Sequence, residues 1–262
     1  MRNRFHYRLF ASILVAAAAA LPAQTPPPRL TFDVAAIHPS KPGLRSGGIE
    51  PMPNGTGYLV QNMSVRILMS LMYRIPPRQI EGQPGWFDSE PFDIEAKADG
   101  AYNIDDLHTM VKNLLADRFG LEFHIEIRQG PVYALTIDKS GLRMTPQGSV
   151  PDLNIPVIPH GPADFVGTKV PMDYLCWFLS TQIRTDPRPV IDRTGLTQVY
   201  GFTLQFAPDL PPGFSNDGLP PEAQHLPAFR DALVEQLGLR LIPMKGPVDY
   251  YVIDHIEKPT EN

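Results

Sequence analysis

The chain carries one short pattern near its middle and again near its C-terminus. Residues 119–132 read FGLEFHIEIRQGPV, and residues 237–248 read LGLRLIPMKGPV. In both stretches a glycine follows a helical stripe of apolar residues, an apolar-rich segment follows the glycine, and a Gly-Pro pair comes next. The glycine can supply the left-handed residue that ends a helix, and the segment after it is typical of a strand. The Gly-Pro pair predicts a turn into a second strand. The two stretches therefore predict two copies of one helix–strand–strand unit.

The correspondence extends upstream of both stretches. Gly85, Phe92 and Asp99 correspond to Gly195, Phe202 and Asp209 at one constant offset. Two further helical stripes also correspond: Val65, Leu68 and Met72 with Ser64 as the cap, and Met172, Leu175 and Leu179 with Pro171 at the first turn. We predict an α+β fold made of two divergent tandem copies of a β-α-β-β-α-β-β unit, each a small sheet packed by two helices.

The remaining segments set the predicted domain boundaries. In chain order they are a signal peptide (1–23), a flexible mature N-terminus (24–31), the first α+β copy (32–139), a linker (140–169), the second copy (170–258) and a tail (259–262). We expect residues 32–37 to add a strand to the first sheet. A proline-rich insertion at 207–224 interrupts the second copy, and a loop of this length is either functional or disordered.

The N-terminus predicts export. Arg2, Arg4 and Arg8 precede an apolar run over residues 9–21, and small residues follow to Ala23. This three-part pattern is typical of a secretory signal peptide, and the run is shorter than the ~20 residues that span a bilayer. The mature chain is expected to be soluble and periplasmic or extracellular. Its single cysteine excludes an internal disulfide.

Charge excludes one class of partner. The formal net charge is −5, and removal of the basic leader would make it more negative. Nucleic-acid binding requires a cationic surface, so no nucleic-acid partner is expected.

The common catalytic signatures are absent from the sequence. It has no Gly-x-Ser-x-Gly elbow, no Ser-x-x-Lys, no phosphate-binding Gly-rich loop and no His-Glu-x-x-His helix. Cys176 lies in a helical apolar stripe, which favours a buried core thiol over a nucleophile. No cofactor and no metal are expected.

Two sets of residues still allow chemistry. His124 and Glu126 lie two apart, hence on one face of a strand, and could act as acid and base or as zinc ligands; solvent-facing strand residues are the simpler interpretation. Asp93 and neighbouring acids beside Trp86 are compatible with a glycosidase cleft, although Phe92 and Ile94 are expected to face the core and the acids to face water. Arg193 lies in an Asp-Arg-Thr-Gly run that predicts a tight turn.

Several stretches together carry a family resemblance. They are residues 32–40 (FDVAAIHPS), 79–82 (QIEG), 92–97 (FDIEAK), 114–121 (LLADRFGL), 131–135 (PVYAL), 190–196 (VIDRTGL) and 252–259 (VIDHIEKP). In this order they resemble the exported, heavily paralogous protein family of unknown function found in soil acidobacteria. The resemblance implies an exported bacterial protein and assigns no catalytic residues. Related modules can accompany membrane-bound metallopeptidase sensors, which implies a signalling role.

Each copy is also similar to the short N-terminal domain of secretins and TonB-dependent receptors. That resemblance implies a periplasmic module that relays signals or docks partners. No receptor barrel or secretin follows in this sequence, so any such role would be played in trans.

The sequence thus predicts an exported, non-catalytic binding or signalling module of the bacterial envelope. Its expected partner is an envelope protein, recognised through a sheet edge or the groove between the copies. Tyr58, Trp86 and Arg193 are the candidate exposed binding residues. The alternatives are an extracellular hydrolase that uses His124, Asp93 or Glu126, and a glycan- or peptide-binding protein that uses the same aromatic residues as platforms.

Overall fold

The described residues of the chain fold around three four-stranded sheets. A computed structural model describes residues 29–41, 43, 47–148, 153, 155–161, 163–207 and 225–260. The predicted signal peptide, most of the predicted flexible N-terminus and most of the proline-rich insertion lie outside the described residues. The described part contains both helices and strands, and most of its strand pairs are antiparallel, so the predicted α+β class is confirmed.

Twelve strands form the sheets. In chain order they are β1 (Val34–Pro39), β2 (Gly48–Pro51), β3 (Gly57–Ser64), β4 (Ile80–Glu81), β5 (Pro91–Lys97), β6 (Glu122–Ile137), β7 (Thr145–Gln147), β8 (Val157–Gly161), β9 (Asp164–Val170), β10 (Val190–Asp192), β11 (Val199–Gln205) and β12 (Leu239–His255). The helices are α1 (Val65–Tyr73), α2 (Trp86–Ser89), α3 (Ile104–Phe119), α4 (Met172–Gln182) and α5 (Phe229–Ala232), which continues as a π-helical turn over Leu233–Leu237.

The two outer sheets have the same architecture. The first has the strand order β1-β5-β3-β2 and the third β7-β11-β9-β8, and in each the paired neighbours are antiparallel. The N-terminal strand β1 joins the first sheet by pairing with β5, as expected. This shared strand order agrees with the predicted repeat, and the origin of the two halves in a duplication stays a prediction.

Helix ends follow the predicted local chemistry at α3 and α5. The side chain of Asn103 accepts a hydrogen bond from the backbone N–H of Asp106 at 3.0 Å. Gly120 and Gly238 follow the two helices with φ of 58° and 67°, the left-handed conformation that ends a helix at low cost in glycine. Ser64 occupies the N-cap position of α1, as expected, but its side chain makes no capping hydrogen bond.

The predicted Gly-Pro turns are wrong. β6 runs without interruption through Gly130 and Pro131, and β12 runs through Gly246 and Pro247. The two long strands pair antiparallel with each other, and Gly130 lies directly opposite Gly246. Each half thus finds its antiparallel partner in the other half instead of folding back into a local hairpin.

The central sheet joins the two halves. Its order is β10-β6-β12-β4, so β4 of the first half pairs with β12 of the second, and β10 of the second pairs with β6 of the first. Both of these pairings are parallel. The expectation that each copy forms its own separate sheet is therefore wrong for the central sheet, which both copies build together.

The expected linker is also structured. Within residues 140–169 the chain forms β7, β8 and most of β9, which belong to the third sheet. The glycines and prolines of this segment predicted irregular structure, whereas strand pairing with β11 supplies order that no local pattern indicated.

The described residues form two hydrophobic cores, each built mainly from one half of the chain. Leu115 and Phe119 belong to the first core, Leu175 and Leu179 to the second, and the partly buried Leu71 packs against both. Cys176 is buried in the second core as a free thiol, as predicted, and burial raises its pKa to about 12. Among the described residues, no helix combines the length and apolar character needed to cross a bilayer.

Candidate functional site

The N-terminal part of β6 is paired on one side only. β12 pairs with it along its whole length, while β10 covers the opposite side only at Tyr133–Leu135. Among the described strands, none pairs with that opposite side from Glu122 to Gly130. This segment, which we call the open edge, is a row of backbone groups available to a further strand.

Hydrogen bonds to β10 identify which backbone groups face the open side. The N–H of Tyr133 donates to Pro189 O at 2.8 Å, and Leu135 O accepts from the N–H of Arg193 at 2.9 Å. Backbone groups of successive strand residues point to alternate sides, and the β6 register with β12 is unbroken from Phe123 to Ile137. The N–H and C=O groups of Phe123, Ile125 and Ile127 therefore point outward at the open edge.

Apolar side chains accompany these outward backbone groups. Ile125 is 50% exposed and Ile127 is 69% exposed, two of the largest exposures among the hydrophobic residues of the described chain. β-branched side chains favour strand conformation, and exposed apolar area is stabilised when another chain covers it. An added strand would cover both isoleucines.

The edge strands of the two outer sheets carry residues that hinder strand addition. The outer edge strands β1, β2, β7 and β8 contain Pro39, Pro51, Pro146 and Pro159, respectively. Proline cannot donate a backbone hydrogen bond, and natural proteins use it to protect sheet edges. The open edge of β6 contains no proline from Glu122 to Gly130.

The stretch of β12 before Asp249, with which no described strand pairs on the outer side, gives the closest comparison within the molecule. β4 pairs with β12 only at Tyr251 and Val252. The carbonyl of Asp249 accepts from Gln79 Nε2 on that side, so the odd-numbered residues of β12 face outward. The outward positions before it include Pro243, Lys245 and Pro247, two prolines and a lysine. The two long strands therefore differ: one has a protected edge and the other an open edge.

A charged network lies on β6 beside the open edge. His124 Nδ1 lies 2.8 Å from Asp254 Oδ1, and His124 Nε2 lies 3.3 Å from Glu126 Oε1. Arg128 lies 2.8 Å from a Glu126 oxygen and 2.9 Å from a Glu81 oxygen, with its guanidinium 4.3 Å from the Tyr250 ring centroid. Both charge signs are thus held in fixed positions at the surface.

The network shifts the titration of its members. The hydrogen bond to Asp254, followed by that to Glu126, raises the pKa of His124. The hydrogen bond from Arg128 is the main cause that lowers the pKa of Glu126. At neutral pH Glu126 is therefore an ionised acceptor whose oxygens bond His124 and Arg128, an arrangement that orders the surface and does not favour a proton donor.

Asp93 is separate from His124 and Glu126. It lies on β5 in the first sheet, where it accepts from Ser40 Oγ at 2.6 Å and from the backbone N–H of Asn62 at 2.7 Å. On the same strand Phe92 and Ile94 are buried, so the predicted alternation along β5 is confirmed. The three acid/base candidates do not assemble into one site.

The expectation that Tyr58 is exposed is wrong. Tyr58 is 1% exposed, and its hydroxyl lies 2.9 Å from Nε2 of His108 on α3. Burial raises the pKa of this phenol. The alternation of β3 directs Tyr58 into the first core, so it is withdrawn from any binding surface.

Trp86 and Arg193 remain accessible but differ in setting. Trp86 is half-buried on α2, with edge-on contacts to Phe87 and Phe92. Arg193 is exposed in a turn that begins after β10, where the Asp192 carboxylate accepts from the N–H of Thr194 at 2.8 Å. The predicted turn is therefore confirmed. With Tyr58 buried, the three candidates cannot form one binding surface.

A cavity lies at the junction of the two halves. A cavity of about 390 Å³ is lined by residues of both halves, among them Gln79, Trp177, Val190 and Tyr251. The buried Gln79 donates through Nε2 to the Asp249 carbonyl at 2.6 Å, and its Oε1 has no hydrogen-bond partner among the described residues. The described residues hold no group of three or more metal-ligating side chains.

Docking at a sheet edge was predicted from the sequence, but the particular edge was not identified. The signal was present in the comparison of the two Gly-Pro-containing stretches: residues 122–129 read EFHIEIRQ without proline, whereas Pro243 interrupts the corresponding stretch of β12. The predicted hairpin obscured the significance of this difference, because a hairpin would have paired residues 122–129 with residues 132–138.

Comparisons with known proteins give a family and no activity. No curated protein and no solved structure matches the chain. A family model described as a protein of unknown function, DUF3738, matches residues 66–256, which include α3 and both long strands of the central sheet. The chain therefore belongs to the DUF3738 family of proteins of unknown function.

Proposed function

We propose that the protein is an exported, non-catalytic binding module of the bacterial envelope that docks a protein partner by strand addition at the open edge of β6. One observation carries the proposal: no described strand pairs with one side of the segment from Glu122 to Gly130, and this segment is free of proline, while β12 carries Pro243 and Pro247 at outward positions. Strand addition gains affinity from main-chain hydrogen bonds and specificity from alternate side chains.

The energetics of this edge suit an extended partner segment. Each outward residue offers one donor and one acceptor, and a hydrogen bond contributes a net ~0.5–1.5 kcal/mol. Burial of Ile125 and Ile127 would add roughly 25 cal/mol for each Å² of apolar surface covered. These contacts would together oppose the loss of translational and rotational freedom that association costs.

Export and partner class rest on the sequence. The basic, apolar and small-residue parts of residues 1–23 support a cleaved leader, and a mature chain outside the cytoplasm would meet envelope proteins. The resemblance to short N-terminal domains of secretins and TonB-dependent receptors supports docking in trans. This resemblance also supports a signalling role as part of the proposal.

The geometry gives the two alternatives less support. A hydrolase would need a free base near a nucleophile, whereas His124 and Glu126 are bonded to charged neighbours and Asp93 is held by Ser40 and Asn62. The burial that raises the pKa of Cys176 also disfavours its thiolate. A glycan- or peptide-binding surface built on the predicted aromatic residues loses Tyr58 to the core.

Ile127→Pro is expected to reduce partner capture at least about ten-fold while the protein still folds. The substitution removes an outward N–H that the docked segment would need, and it leaves the hydrogen bonds between β6 and β12 intact. Capture is measured in cells that export the protein, with a photo-crosslinking residue at Gln129 and identification of the products by mass spectrometry.

Ile127→Ala is the matched control for this experiment. It shortens the same side chain and keeps the N–H, so it separates loss of a backbone bond from loss of apolar area. A captured envelope protein that depends on the Ile127 N–H supports the proposal. Equal capture by wild type and Ile127→Pro, at equal thermal stability, would contradict docking at this edge.

A further inference from the structure

We propose that the open edge of β6 fits a second copy of this chain, paired antiparallel about Ile125 so that the two central sheets become one continuous sheet. This inference rests on the proposed docking role of the open edge and names its partner. It is carried by the order of residues 122–128, EFHIEIR, in which acidic, apolar and basic side chains are arranged so that the segment complements its own reverse.

Antiparallel pairing centred on Ile125 matches every residue of this segment. Glu122 lies opposite the partner's Arg128, and His124 lies opposite the partner's Glu126. Phe123 lies opposite the partner's Ile127, and Ile125 lies opposite the partner's Ile125. Opposite charges and apolar residues that face each other across strands are the pairs that stabilise antiparallel sheets.

The backbone geometry allows this register. Phe123, Ile125 and Ile127 point their N–H and C=O groups outward, as the hydrogen bonds between β6 and β10 establish. In the proposed pairing each outward residue meets an outward residue of the partner, so each pair exchanges two N–H···O bonds. About six backbone bonds would join the two copies through these residues alone.

Neighbouring registers fit less well. Pairing centred on Glu126 places Glu126 opposite the partner's Glu126 and His124 opposite the partner's Arg128. Pairing centred on His124 places Glu122 opposite the partner's Glu126. Pairing centred on Ile127 keeps the match between Glu126 and the partner's Arg128 but places Ile125 opposite the partner's Gln129. Like charges directly opposite are destabilising, so the side chains select one register.

The side chains needed for this pairing are accessible. The side chains of His124, Glu126 and Arg128 are 50%, 44% and 42% exposed. Arg128 is bonded to Glu126 on its own strand and to Glu81 on β4, across β12, so its guanidinium has to exchange the bond to Glu81 for the partner's Glu122 when the two copies pair. One edge cannot hold two strands at once, so a second copy and an envelope protein are alternative occupants.

Sedimentation equilibrium of the full mature chain tests the inference through charge reversal. Wild type is expected to form a dimer. Glu122→Arg and Arg128→Glu, each alone, place like charges opposite each other twice per dimer and are expected to raise the dimer dissociation constant at least about ten-fold. An equimolar mixture of the two variants restores both opposite-charge pairs and is expected to recover dimers.

Two controls accompany the mixture. Lys245→Glu reverses an exposed charge on β12, outside the proposed interface, and is expected to leave the dissociation constant unchanged. Arg128→Glu also removes the contacts to Glu81 and Glu126 within its own chain, so thermal melting of each variant is measured. The mixture isolates the contact between copies, because intramolecular damage would not be repaired by the other variant.

Three outcomes would overturn the inference. They are a wild-type monomer up to roughly 100 μM, dimers that persist in both single variants, and a mixture that stays monomeric. If the chain is monomeric while Ile127→Pro still abolishes capture of an envelope protein, docking at the open edge stands and only the second copy as its partner fails. If capture is also unaffected, both proposals fail.

Discussion

Gly238→Ala is expected to lower the free energy of unfolding by about 3 kcal/mol or more, the largest effect that we predict for one methyl group. Gly238 has a φ of 67°, and a Cβ built at this position would lie 1.9 Å from the carbonyl oxygen of Gly141. The nearest atoms all belong to the backbone of Gly141 and Leu142, and the position of Gly238 is fixed because its carbonyl accepts from the N–H of Asp138. Relief would require movement of the turn that follows β6.

Gly195→Ala is the matched control for this prediction. Gly195 has a φ of 72°, and its added Cβ would meet nothing within 4 Å. Gly195→Ala is therefore expected to lower the free energy of unfolding only by the roughly 1–2 kcal/mol that the left-handed backbone conformation costs alanine. Urea unfolding of both variants separates the two contributions. Equal losses at the two positions would contradict the close packing at Gly238.

Acidification from pH 7.5 to 5 is expected to remove about 2 kcal/mol of stability through His108 alone. Burial lowers the pKa of His108 to about 4, and the charges of Arg74 and Lys112 act in the same direction. The unfolded chain, with a histidine pKa near 6.5, takes up the proton first as the pH falls. The stability that depends on neutral His108 is thus fully present above about pH 6.5, and it is lost progressively as the pH falls from 6.5 to 4.

His108→Gln isolates this effect. Glutamine keeps a polar partner for the Tyr58 hydroxyl and does not titrate. We expect the free energy of unfolding of the variant to fall less than that of wild type between the two pH values. His124 acts in the opposite direction, since its raised pKa stabilises the folded state at low pH, but it is the same in both proteins. Identical pH dependence of wild type and variant would be the contrary result.

Local chemistry made part of the fold predictable. The helix-ending Gly120 and Gly238 were predicted from residues a few positions apart, and both are confirmed. The alternation along β5 and the buried Cys176 follow from periodicity within single elements. Each of these features is decided by neighbours in sequence.

Pairing of the long strands could not be predicted in the same way. Gly130-Pro131 is a turn signal when taken alone, but both residues lie within a strand whose partner begins more than a hundred residues later. Proline is tolerated at position 131 because its missing N–H would have pointed away from β12. The competing long-range pairing outweighs the local preference for a turn.

The candidate site was predictable only as a class. A sheet edge was expected, whereas its identity depends on where β10 stops beside β6, which is a property of the assembled sheet. Tyr58 illustrates the same limit: it was expected at the surface, but it is buried against His108 of α3, a contact between residues fifty positions apart.

Residue-resolved amide hydrogen exchange of the mature chain, at a concentration low enough to keep it monomeric, tests the open edge most directly. The N–H groups of Ile125 and Ile127 are predicted to exchange fast because they face outward and no described strand pairs with them. The N–H of Glu126, which faces β12, is predicted to exchange slowly. Equal protection of all three amides would show that this edge is already covered and would contradict docking there.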